Sequence, residues 1–226
     1  MTLLAEDLLL LLLDDVSGKR TTDTTRLDYA LGGALLLELA MAGRLDVTEK
    51  QGWLGRERVE VLDATPTGDD LLDDALTRLC TAKGRDPQSA VTSLSKHLRA
   101  TLLERLAQRG VLRRESDRIL GVFPRDRWPL KDATRETQLR GRLHDVLVVG
   151  LAPDPNTSAL IALLSAIDQA HKVVDAPDRK AVKHRAKAIS DDEWAGAAVR
   201  KAVQAAQAAV AAGAVAAGVV ASSGGS

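Results

Sequence analysis

Apolar residues along this chain fall mostly at helical spacing. The first run, 5-AEDLLLLLLDD-15, has six unbroken leucines between pairs of acids. A membrane span needs about 20 apolar residues, and a secretory signal needs a basic segment ahead of its apolar core. Here the run is too short and acids precede it. Apolar all round for nearly two turns, it reads as a helix over Leu3–Val16 buried in the core of a cytoplasmic protein, ended by Ser17 and Gly18.

The same spacing predicts further helices. One covers Leu27–Ala42, with Leu31, Leu35, Leu39 and Ala42 on one stripe and Gly43 at its C-terminal cap. Thr67 caps another, whose first turn carries Asp69 and Asp70. A long helix covers Ser89–Arg109, with Val91, Leu94, Leu98, Leu102 and Leu106 inward. Thr134–Val149 follows, then a strongly apolar helix capped by Asn156 or Thr157 and running to Val174, a basic stretch Lys180–Ile189, and an alanine-rich tail. Short alternating runs at Leu45–Val47 and Val59–Leu62 predict one hairpin, and Val111–Arg114 with Ile119–Phe123 predict a second. The expected fold is mainly α, in a single domain over 1–221, with 222–226 a disordered tail.

An internal echo supports this layout. The segments 36-LLELAMAGRL-45 and 103-LERLAQRGVL-112 share Leu-x-x-Leu-Ala-x-x-Gly-x-Leu, and a hairpin is expected after each. Helix, glycine cap and two-stranded wing also describe a winged helix, so a nucleic-acid-binding reading stands as the alternative function.

Composition narrows the chemistry. Hydrophobic residues make up 45% of 226 and aromatics only 2%, so the core is built from Leu, Val and Ala. With one cysteine, Cys80, an internal disulfide and a multi-cysteine zinc site are both excluded. Net charge is zero but unevenly spread: residues 1–80 carry 16 acids and 8 bases, whereas 96–142 carry 13 bases and 6 acids. The basic middle either faces an anionic partner or is neutralised by the acidic first third.

No nucleophile elbow, P-loop or dinucleotide fingerprint is present, and the four histidines show no metal-ligand spacing. No enzymatic activity, cofactor or metal is expected. The acids Asp63, Asp69, Asp70, Asp73 and Asp74 fit a helix start better than a cation site. Trp53 and Trp128, in loop or hairpin-end positions, are expected to pack on the domain. Lys96 and Arg99, spaced i,i+3 on the long helix, share a face off its apolar stripe, and such a pair can grip one phosphate. Ile119, Leu120, Val122 and Phe123 form an apolar cluster in the second hairpin. With Arg113, Arg114, Arg118, Arg125 and Arg127 around it, that cluster suits a bilayer interface.

Several of these stretches resemble the Golgi phosphoprotein 3 family, peripheral membrane proteins that bind phosphatidylinositol 4-phosphate. The most specific is 64-ATPTGDDLLDDAL-76, close to the family's Ala-Pro-Thr-Gly-Asp-x-Leu-Leu-Asp-x-Ala-Leu with Thr65 inserted. The opening leucine helix, 35-LLLELAMAGRL-45, 104-ERLAQRGVL-112 and 160-LIALLSAIDQAH-171 match in order. The resemblance implies a helical bundle wrapped by amphipathic helices with a projecting β-hairpin. It also implies a lipid headgroup site at Lys96 and Arg99, and a hairpin that contacts membrane or another subunit. The family's early aromatic falls near Asp23 and its early arginine on Gly32, so that half of its pocket is unmatched. Anionic phospholipid membrane, protein client tails and a homo-oligomer are the implied partners, with no nucleic acid. The location implied is the cytoplasmic face of a membrane: Golgi in a eukaryote, plasma membrane in a bacterium. A ratio of 21 Arg to 10 Lys leans toward the second.

Overall fold

Leucine-rich helices that cannot hide their apolar faces alone must bury them on one another. The computed structural model describes residues 2–48, 57–81, 86–119, 123–192 and 196–222. Among them the fold is mainly α, with two small antiparallel hairpins.

Helix α1 (Leu4–Leu11) is the centre. It touches α2 (Thr24–Met41), α5 (Leu98–Gln108), α6 (Thr134–His144) and α7 (Pro155–Ala166). Every residue of the leucine run is buried, with Leu8, Leu9 and Leu12 fully so. Each such side chain contributes about 1.5–3 kcal/mol. The helix is shorter than its pattern predicts. At Leu12 the chain leaves it, and Leu13 bridges Arg20 instead. The following turn, with Gly18 at φ +60°, lies against the backbone of Trp128 so closely that a Cβ would sit 2.2 Å from it. Trp128 itself is half-buried on the core; Trp53 lies outside the described residues.

Helix α2 is buried on nearly all sides rather than along one stripe, because α4 (Pro87–Ser95), α9 (Ala197–Ser222) and α1 surround it. Two glycines permit the close approach. A Cβ on Gly32 would lie 2.6 Å from the Val91 carbonyl oxygen, and one on Gly33 2.5 Å from Ala206 Cβ. Helix α9 continues the alanine-rich segment to Ser222, one residue into the expected tail; 223–226 lie outside the described residues.

The internal echo is structural. Gly43 and Gly110 both adopt left-handed conformations, and each helix ends in the same pair of bonds. The amides of Gly43 and Arg44 donate to the carbonyls of Ala40 and Leu39; those of Gly110 and Val111 donate to Ala107 and Leu106. This is a Schellman closure. A hairpin follows each: β1 (Leu45–Thr48) with β2 (Arg58–Val61), and β3 (Glu115–Ile119) with β4 (Phe123–Arg127). The second differs from expectation. Val111–Arg114 is not a strand; its Leu112 only bridges Leu130 at the hairpin base, and the arms run further out, pairing Ile119 with Phe123.

Other boundaries moved for local reasons. Asp69, not Thr67, takes the capping position of α3 (Asp70–Thr81), accepting from the Leu71 amide at 3.0 Å. Asp154 caps α7 ahead of Pro155, displacing Asn156 and Thr157 from that role. That helix stops at Ala166, because Asp168 turns left-handed at φ +56°. Helix α6 ends in a π-helical turn, Asp145–Val149, and α8 spans Arg179–Asp191.

Gly32→Ala is expected to cost about 1–3 kcal/mol, because its Cβ meets α4 backbone that cannot swing aside. Gly141→Ala, on the exposed side of α6 with open space around it, should instead gain about 0.5–1 kcal/mol. Urea denaturation midpoints of the two variants measure both, and equal shifts would contradict the proposed α2–α4 contact.

Candidate functional site

Lys96 and Arg99 do not share one helix face. The predicted helix Ser89–Arg109 is broken between α4 and α5: Lys96 is extended at φ −63°, ψ 121°, and His97 is left-handed at φ +61°, ψ 0°. Histidine is among the residues that tolerate this region. The cause is tertiary. The end of α4 is drawn against Gly32 of α2, and α5 must change direction to keep Leu98, Leu102 and Leu106 in the core.

The break leaves Lys96 exposed at the C-terminal cap of α4, a favourable place for a cation. It borders a groove of about 730 Å³ between α3 and α5, with Asp70, Asp74 and Glu104 among its other walls. Helix α5 starts at Leu98 with no side-chain cap. Arg99, in its first turn, reaches toward α2 instead. Its Nε lies 3.6 Å from Asp28 Oδ1, and its Nη1 is buried with no hydrogen-bond partner among the described residues. Burial raises the pKa of Asp28, and the charges of Arg99 and Arg20 oppose that rise. The two cations thus flank the start of α5.

The other two positions of the implied pocket are occupied otherwise. Asp23 caps α2, accepting from the amides of Thr25 and Arg26 at 3.0 and 3.1 Å. Gly32 faces the α4 backbone with no room for a side chain.

In the second hairpin, Ile119 and Phe123 are directly opposite each other; Leu120 and Val122 lie outside the described residues. At the base, Arg113 pairs with Glu115, and Arg114 bonds Asp126 at 2.8 Å while lying 5.4 Å over the Trp128 ring. These two arginines are therefore committed to neighbours rather than free for a partner.

Three more arginines of the basic middle are held in the same way. Arg105 bonds Glu6 of α1 at 2.8 Å and clasps Asp69, the cap of α3, with two nitrogens. Arg109 also reaches Glu6, at 2.9 Å, and Arg135 holds Asp7 through two bonds of 2.6 Å. Glu6 is fully buried. Acids of the first third thus neutralise Arg105, Arg109 and Arg135 inside the molecule. Asp63 is held by Arg44, Asp73 by Thr67 and Asp74 by Arg78, so the acid cluster is divided among separate partners. The signal in the sequence for this pairing is Glu6 itself, a carboxylate at the start of an otherwise apolar helix, which needs a cation once buried.

A second cavity, about 620 Å³, opens between α1, α2 and α6, with Glu38, Arg44, Arg135 and Arg142 on its walls. Glu38 accepts from the Leu4 amide at 2.8 Å, and burial pushes its pKa up to about 7.

A family model described as Golgi phosphoprotein 3 (GPP34) matches residues 4–206. The chain belongs to that family. It is 30% identical over 165 residues to the vacuolar protein sorting-associated protein 74 of Eremothecium gossypii, a match covering 64% of this chain and 49% of the relative. It is 28% identical over 179 residues to the protein of the same name in Schizosaccharomyces pombe, covering 72% and 53%. The chain thus spans about half the length of the curated relatives it matches. Both hairpins and the caps at Gly43 and Gly110 lie within the GPP34 match. Among the described residues of this GPP34 chain, no helix is long and apolar enough to cross a membrane.

The raised Glu38 sets a pH dependence. Its folded pKa of about 7 exceeds the ordinary 4.5, so its contribution to stability is full below pH 4.5 and is lost as pH rises through 7. Glu38→Gln, which keeps an acceptor for the Leu4 amide, should gain up to about 3 kcal/mol on wild type between pH 5 and pH 8. Paired denaturation curves at the two pH values check this; a constant difference would refute it.

Proposed function

We propose that this GPP34-family chain is a peripheral membrane adaptor, without catalytic activity, that holds anionic phospholipid headgroups at Lys96 and Arg99. The observation that carries this reading is exposed Lys96 three residues before Arg99, whose side chain is 30% open, where α5 starts uncapped. Two such cations suit one phosphate group. Phosphatidylinositol 4-phosphate is the headgroup that the family resemblance brings. The names of the two fungal relatives, both sorting proteins, support protein clients as the cargo. The β3–β4 hairpin, whose outermost described pair is Ile119 and Phe123, is read as the membrane or self-association contact, with Leu120 and Val122 the apolar residues between them in sequence. The location is the cytoplasmic face of a membrane. Nucleic acid is the weaker reading, because so many arginines of the basic middle already hold internal carboxylates.

Vesicle flotation tests the reading. Wild type should float with vesicles containing phosphatidylinositol 4-phosphate at low salt and release as salt rises. Lys96→Ala/Arg99→Ala should bind at least about tenfold more weakly, since each cation near an anionic surface is worth about 1 kcal/mol. Equal flotation of both proteins would rule out this site.

A further inference from the structure

The second cavity, of about 620 Å³, has the size of a small-molecule site. Neither Lys96 nor Arg99 lines it, so it is separate from the headgroup reading. Its walls come from α1, α2 with the residues just after it, α3, α6 and α7. Leu4, Leu72, Leu139, Leu143 and Leu160 supply apolar wall.

Most of the charged groups on these walls already have partners. Arg135 holds Asp7 through two bonds, and Arg44 is bonded to Asp63 and Thr65. Asp154 accepts from the amide and the hydroxyl of Thr157, so its charge serves the N-terminus of α7. Two groups remain. Arg142, in the last turn of α6, is exposed, and its side chain makes no hydrogen bond or ion pair among the described residues. Glu38, half-buried on α2, accepts from the Leu4 amide and has no cation bonded to it among the described residues.

Glu38 stands among acids. Burial first, then the charges of Asp7, Asp69 and Glu6, raise its pKa to about 7. Arg44, Arg135, Arg142 and Asp154 share the cavity with it, but Arg44 and Arg135 are each bonded to another carboxylate. Below neutral pH its carboxyl is therefore mostly neutral and carries an O–H. The unspent bonding capacity of the charged and titratable walls is then donor capacity: the guanidinium of Arg142 and the O–H of Glu38. A molecule that accepts from such walls, and whose charge is opposite to that of Arg142, is an anion. A planar carboxylate matches the guanidinium fork. The leucines favour one that carries a hydrocarbon chain.

We propose that this cavity binds a small organic carboxylate with an apolar chain, with Arg142 as the carboxylate-binding residue and Glu38 as a gate that its own ionisation closes. Once ionised, Glu38 is an acceptor with a negative charge and repels the same ligand. Affinity is therefore full below pH 7 and is lost as pH rises through it. Arg142 holds no neighbour in place, so its removal leaves the fold intact.

The experiment is isothermal titration calorimetry of the full chain with octanoate at pH 6 and pH 8. Octylamine and octanol serve as cationic and neutral probes of the same chain length. Wild type, Arg142→Ala, Glu38→Gln and Arg179→Ala are compared, with circular dichroism melts as the folding check. Arg179 is an exposed arginine at the start of α8 that does not line the cavity. Octanoate should bind wild type about tenfold more tightly at pH 6 than at pH 8, as one proton on a group of pKa about 7 requires. Arg142→Ala should weaken binding at pH 6 at least about tenfold, and Arg179→Ala less than about twofold. Glu38→Gln, whose amide keeps an N–H donor at every pH, should hold its pH 6 affinity at pH 8. Absence of octanoate binding at pH 6, or equal binding of octylamine or octanol, overturns the anion assignment. Equal octanoate binding by wild type and Arg142→Ala overturns the site. Equal losses from Arg142→Ala and Arg179→Ala would mean a diffuse basic surface and overturn it too. A wild-type affinity that does not change with pH, or that changes equally in Glu38→Gln, overturns the gate.

Discussion

Glu6 is a full negative charge placed in the most apolar helix of the molecule. Burying an ionised carboxylate without partners is prohibitive. Its neutralisation by Arg105 and Arg109 therefore constrains everything around it. Arg105 sits on α5, 99 residues away in sequence, and its remaining nitrogens clasp Asp69 at the head of α3. One guanidinium thereby locks α1, α3 and α5 together. Glu6 also accepts the Leu3 amide at 2.9 Å, closing the start of α1 on itself. Such a network is weak evidence for net stability, but loss of any one member leaves a charge exposed to low dielectric.

This cluster gives a physical meaning to the stretches that carry the family resemblance. The opening leucine helix supplies Glu6, 64-ATPTGDDLLDDAL-76 supplies Asp69, and 104-ERLAQRGVL-112 supplies Arg105 and Arg109. Three segments far apart in the chain are the parts of one ionic joint. Their role is architectural, and the headgroup site proposed above lies elsewhere, where α5 begins.

The joint and the candidate site are connected through α5. Arg105 and Arg109 fix its body against α1, while Gly32 lets α4 press on α2. The two constraints cannot be met by one straight helix. His97 absorbs the mismatch, and its left-handed turn sets Lys96 outward and Arg99 toward Asp28. A surface site is thus shaped by two core contacts. A sequence in which Gly32 bore a side chain would demand a different α2–α4 distance.

The sequence by itself determined which segments are mainly helical, the glycine closures at Gly43 and Gly110, the first hairpin and the burial of the leucine run. Those features follow from spacing and backbone preference among near neighbours, which a linear reading contains. It also held the two possible fates of the basic middle without choosing between them. Only the tertiary structure decided that Glu6, Asp7 and Asp69 neutralise arginines 36 to 128 residues away, that Ser89–Arg109 breaks at His97, and that Arg99 lies against Asp28. Charge pairing over such separations depends on which helices pack together. That is set by the summed burial of many leucines, and no local pattern records it.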